Sequence, residues 1–219
     1  MSVIKGLDKI RQKIDERPQG FDNVSERELT RNIKPGGART IRFVQELDET
    51  SENYDERYGL ALVVSEHEHP EHFWLRLVDT FEEEGASWPA EQGWKSKLNL
   101  YINVVDVDTG DVFYLSRSVL GGLGAQIIES AGERESLTDG VWKIKKEGKG
   151  FNTKYTLTLV NLTDESLEVD PDDLIDFEES LLTQVPYGEQ ESHVRQIEQR
   201  VAAKRADTVT EDDDDDDVW

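Results

Sequence analysis

Asn99, Tyr101 and Asn103 alternate with Leu98, Leu100, Ile102 and Val104 in the segment KLNLYINVV. In a strand the two sets face opposite ways. The aliphatic set reads as core, so an aromatic ring between two amides is expected on the wetter face. Such a ring is placed to stack on a nucleobase, because every base has a π-face. Further on, Phe113 and Leu115 pattern with the core and leave Tyr114 outward. Residues 141–155 then carry five lysines and one glutamate, against the acidic trend elsewhere. Lys143 and Lys145 share a face, with Lys146 and Lys149 nearby, and Phe151 sits in a turn where burial is hard. Lysines mixed with aromatics on a sheet face suit a groove that tracks a phosphate backbone and stacks bases. They equally suit a solvated strand edge guarded by lysines. Tyr155 alternates with Leu157 and Leu159, and Trp142 with Ile144, so pattern alone puts both in the core.

Other chemistries have weaker support. His67, His69 and His72 lie in EHEHPEH, but the first two point the same way only if a strand continues to Pro70. The chain has no cysteine, so nothing of thiolate type can complete a tetrahedral zinc site. We expect no metal and no cofactor. Gly121, Gly122 and Gly124 lack the third glycine of a dinucleotide loop and the Lys-Ser/Thr of a P-loop, and read as a turn into a helix. The serines have no histidine partner and no GxSxG context. Asp106, Asp108 and Asp111 could serve a metal-dependent nuclease, yet they flank a hairpin turn, where acids are common. No catalytic residue is assigned, and the chain reads as a non-enzyme.

Several elements must position these groups. Val3, Leu7, Ile10 and Ile14 predict an N-terminal basic helix over 3–17, followed by a linker to residue 37. Strands are expected over 38–46, 58–66, 72–78, 97–107, 112–117, 141–146 and 153–160, with a helix over 120–131 closed by Gly132. Residues 79–94 read as an irregular insertion. Asp170-Pro171-Asp172-Asp173 predicts a helix start leading into LIDFEESLL, and a second helix is expected over 192–206. The order of strands, one helix and a final hairpin predicts a mainly β core over 38–160: an OB-fold, a five-stranded partly open barrel with a short helix. A sandwich stays open on pattern alone. The domains expected are 1–37, 38–160, a helical region over 161–206, and a disordered acidic tail over 207–219.

The 219 residues carry 48 acidic and 25 basic side chains, a net charge of −23. That sum argues against nucleic acid, whose binders usually look basic. Its distribution argues otherwise. Residues 1–160 have a net of −7, and residues 161–219 a net of −16. Asp212, Asp213, Asp214, Asp215, Asp216 and Asp217 lead to Val218 and Trp219. Such blocks of like charge serve as interaction tails. No apolar run approaches the ~20 residues of a membrane span, and the N-terminus has no signal-peptide block.

Three stretches, ARTIRFVQELDE, KLNLYINVVDVDTGDVFYLSRS and DGVWKIKKEGKGFNTKYTLT, make the chain resemble the single-stranded-DNA-binding proteins of tailed bacteriophages, the T-even helix-destabilising type. The resemblance covers residues 38–160. It implies an OB-fold that binds single strands without sequence preference during replication, recombination and repair, in the cytoplasm of an infected bacterium. Tyr101 matches a stacking aromatic, Lys143 and Lys145 a basic pair, Phe151 the aromatic of a Gly-Phe turn, and Arg42 the arginine of an Arg-Phe strand. Tyr155 matches a family aromatic too, which raises it above its pattern-based place in the core. Lys97, Tyr114, Arg117 and Lys149 complete the expected DNA-binding set. T-even members hold zinc with a histidine and three cysteines; here that region is the Cys-free 79–94 stretch, where packing of Trp88 and Trp94 is expected instead. The tail resembles those that recruit replication and recombination proteins, and the N-terminal helix would serve self-association on DNA. The rival reading is an acidic module that mimics DNA and binds none.

Overall fold

The structure, a computed structural model, describes residues 21–163 and 167–210, with side chains placed over 24–163 and 167–203. The helix expected over 3–17 and the tail residues 211–219 lie outside them. Seven strands form one antiparallel sheet: β1 (Ala38–Phe43), β2 (Leu62–Glu68), β3 (Arg76–Val78), β4 (Lys95–Asp106), β5 (Val112–Ser118), β6 (Gly140–Glu147) and β7 (Lys154–Leu162). Their order is β3-β2-β4-β1-β6-β7, and β5 pairs with the other edge of β4. β4 is the spine: its first half pairs with β2, its last residues pair with β1, and β5 runs along the opposite edge. The turn from β4 to β5 is held by Asp106, whose carboxylate accepts from the Asp108 amide and pairs with Arg39 at 3.0 Å. Gly110 supplies the positive φ the turn requires.

Cross-strand partners share a face. On the inner face Ile41, Phe43, Leu100, Ile102, Val104, Leu115, Trp142 and Ile144 form one buried cluster with Leu123 and Ile127. The last two belong to the helix Gly122–Arg134, which packs on β5 and β7. Their i, i+4 spacing turns one stripe of that helix to the core. Gly124 is required there, because a Cβ would fall on the Ser118 carbonyl. The helix passes the expected stop at Gly132 and ends at Glu135, in left-handed backbone with φ 64°. Gln126 on the same helix closes the free edge of β7: its amide donates to the Tyr155 carbonyl at 3.0 Å and accepts from the Leu157 amide at 2.9 Å. A side chain thus stands where another strand could pair.

The outer face is also continuous. It runs from Thr156 and Thr158 on β7 through Lys143 and Lys145 to Thr40 and Arg42 on β1. It continues through Val105, Asn103, Tyr101 and Asn99 on β4, flanked by Tyr114 and Ser116 on β5 and by Leu62 and Val64 on β2.

Several boundaries differ from those expected. The 79–94 stretch forms two short helices, Phe81–Glu84 and Trp88–Glu91. Trp88 and Trp94 pack edge to face at 5.7 Å, and His69 adds its ring at 4.7 Å from Trp94. Leu75, Leu77, Val185 and Val194 complete this second cluster. The segment after residue 167 is no continuous helix. It is a 3-10 turn, Pro171–Asp173, and a four-residue helix, Phe177–Ser180, because Leu174 and Ile175 are drawn extended onto the sheet. The last helix, Tyr187–Thr210, starts before and ends beyond 192–206. Among the described residues no helix is long and apolar enough to cross a membrane.

Candidate nucleic-acid interface

The outer face has an open half and a covered half. On the open half Lys143 and Lys145 are exposed, with Thr156 and Thr158 beside them. Arg42 is half-buried and donates to the Thr138 carbonyl at 3.3 Å. Lys145 pairs with Glu147 at 2.7 Å, both well exposed, so the pair is readily exchanged for another anion. At the end of the β6–β7 hairpin a 3-10 turn, Gly150–Asn152, carries Phe151 fully into solvent, with Lys149 and Lys154 on either side. Gly148 enters the turn at φ 76°, where a Cβ would strike the Asn152 carbonyl.

The covered half overturns one expectation. Asn99, Tyr101 and Asn103 do share a face, but that face is not wet: they are 4, 4 and 1 % exposed. Tyr114, expected outward, is 5 % exposed. The physical cause lies far along the chain. Ile175, Phe177 and Leu182 cover both tyrosines, with Val24, Leu62 and Leu181 around them. Phe177 sits 5.7 Å from the Tyr101 ring and 6.2 Å from the Tyr114 ring. Asn103 donates to the Ile175 carbonyl at 3.2 Å and accepts from its amide at 3.1 Å. Glu66 accepts from Asn99 and from the Tyr101 hydroxyl, each at 2.6 Å.

Burial pushes the Tyr101 phenol well above its ordinary value, aided by the Glu66 carboxylate and the hydrogen bond Tyr101 donates to it. The Tyr114 phenol is raised by burial and then by Glu28. Both therefore keep their protons in the folded chain where an unfolded tyrosine loses its own, near pH ~10. Above that pH the unfolded state binds fewer protons, so stability falls as pH rises. Phenolate absorbance should show that two of the six tyrosines ionise only as the chain unfolds.

The remaining expected residues lie elsewhere. Lys97 is on the outer face but donates to Glu68 at 2.6 Å, a carboxylate that Arg76 also approaches. Arg117 faces the inner side, pairs with buried Glu28 at 2.9 Å and lies over the Tyr155 ring. Tyr155 is half-buried against the main core, as its alternation indicated. The structure therefore places Arg42, Lys143 and Lys145 on the outer face and leaves Lys149 and Phe151 exposed at the end of the same hairpin, while Arg117 and Tyr155 face the inner side.

The histidines are occupied structurally. The strand ends at Glu68, so His69 turns away, and its Nδ1 accepts from the Glu71 and His72 amides while Nε2 meets Glu198 at 3.1 Å. His67 Nε2 lies 3.2 Å from Asp79. Among the described residues no group of three or more His, Asp or Glu side chains could hold a metal ion.

Sequence reasoning missed Phe177 and the acids beside it as parts of this face. The signal present was an apolar series, Leu174, Ile175, Phe177, Leu181 and Leu182, inside an otherwise acidic stretch. Comparison of the chain with protein-family models, with curated proteins and with solved structures finds no match in any of the three.

Proposed function

We propose that the protein binds single-stranded DNA without sequence preference through the outer face of its sheet. The observation that carries the reading is Phe151, a fully exposed aromatic at a hairpin tip, close in sequence to Lys149 and Lys154, on the hairpin whose first strand carries the exposed Lys143 and Lys145. Lysines neutralise phosphates, and an unburied ring offers a stacking surface to any base. An OB-type barrel accounts for the strand pairing: β1 pairs with both β4 and β6, and the helix Gly122–Arg134 fills the gap between β5 and β7. On this reading the protein coats strands exposed in replication, recombination and repair. The run from Asp212 to Trp219 recruits partner proteins, with an aromatic anchor and an acidic rim.

Titrating fluorescein-labelled oligo-dT across a salt series tests the reading, with full-length protein and with a form lacking 207–219. Affinity should fall with salt as counterions return to the strand, and removal of the acidic tail should tighten binding. If neither form binds at low salt, the reading fails.

A further inference from the structure

The middle of the face assigned to DNA already has an occupant. Residues 167–182 hold seven acids and no base, and they direct their apolar side chains inward and their acids outward. This is the plan of a bound single strand, bases in and phosphates out. We propose that this segment is a displaceable plug, and that the Tyr101–Tyr114 pair beneath it is a base-stacking subsite that opens when a single strand takes its place. The proposal rests on the single-strand reading above.

Three observations converge. Phe177 contacts both tyrosines at distances and tilts typical of aromatic pairs, so it occupies the position a stacked base would take. The segment is attached without strand pairing. Asn103 holds both backbone groups of Ile175, Tyr58 donates to the Leu167 carbonyl, and Arg27 donates to the Asp173 carbonyl. All three are side-chain contacts to a backbone, which can be released without breaking the sheet. Finally, its helical pieces are three and four residues long, too short to persist once off the sheet.

Basic groups flank the plug on the same outer face. Arg42, Lys143 and Lys145 lie toward β6, while Arg76, Lys95 and Lys97 lie toward β3. A strand running between these sets would cross the Tyr101–Tyr114 pair. The tether keeps the plug at high effective concentration, so apparent affinity for DNA is reduced by the fraction of molecules that are closed.

Two experiments on the full chain decide. Native-state hydrogen exchange should show the Ile175 amide exchanging about tenfold faster or more with saturating oligo-dT, while amides in β4 keep their protection. Phe177→Ser should tighten oligo-dT binding about fivefold or more, by removing the ring that competes with a base. Unchanged exchange at Ile175 in the saturated complex overturns the plug. So does a folded Phe177→Ser chain that binds no tighter. If Phe177→Ser does not fold, the exchange result on the unmodified chain decides alone. Absence of oligo-dT binding by the unmodified chain would instead overturn the functional reading, so the two failures are distinct.

Discussion

Phe151→Ala should weaken oligo-dT binding about tenfold and leave the unfolding midpoint unchanged. The first half follows from stacking, worth about 1–3 kcal/mol per base. The second follows from exposure: the ring touches no core cluster and sits at the tip of a turn whose geometry is set by Gly148. Lys143→Ala with Lys145→Ala makes the companion measurement. For each phosphate left without its lysine, the slope of log affinity against log salt should fall by about 0.7, so the pair should lower it by about 1.4. The two effects separate cleanly. Loss of Phe151 should persist at high salt with the slope unchanged, whereas loss of the lysines should fade as salt rises. A Phe151→Ala chain that binds as before would leave the ring without a role in DNA binding. Lysine variants with an unaltered slope would return β6 to a guarded, solvated strand.

Much of the inner fold was legible because it is local. The alternation in β4 sorted Leu98, Leu100, Ile102 and Val104 from Asn99, Tyr101 and Asn103, and the structure keeps the two sets on opposite faces, with Leu98 exposed beyond the edge of the core rather than in it. Trp142 and Tyr155 went to the core side by the same arithmetic. What alternation does not encode is what lies on top of a face. Asn103 and Ile175 are seventy-two positions apart, and no period links them. The amides of β4 looked like groups awaiting water or a ligand, and one of them is instead satisfied by a passing backbone. Gln126 shows the same limit. Its role at the β7 edge depends on the helix packing against both β5 and β7, strands on either side of it in sequence, which no local pattern encodes.

Glu46→Ala should destabilise the chain by about 3–5 kcal/mol, because several buried donors lose their acceptor at about 1–3 kcal/mol each. Glu46 is 3 % exposed, and its carboxylate accepts from the Ser136 hydroxyl at 2.7 Å, the Leu137 amide at 3.0 Å, the Thr138 amide at 3.0 Å and the Thr138 hydroxyl at 2.6 Å. Those donors belong to the connection between the helix Gly122–Arg134 and β6. Alanine would leave two backbone N–H groups and two hydroxyls facing a void. Glutamine keeps the shape but turns an NH2 toward donors, so Glu46→Gln should recover little of the loss. The connection also carries the Leu137 carbonyl, which accepts from the Trp142 indole at 2.9 Å, and the Thr138 carbonyl that holds Arg42. Loss of Glu46 should therefore reach both the core and the outer face. Urea unfolding would measure it, with Glu52→Ala as an exposed control expected within about 0.5 kcal/mol of the parent. A Glu46→Ala midpoint near the control's would show that the connection finds its place without the carboxylate, and that β6 and its lysines are positioned by strand pairing alone.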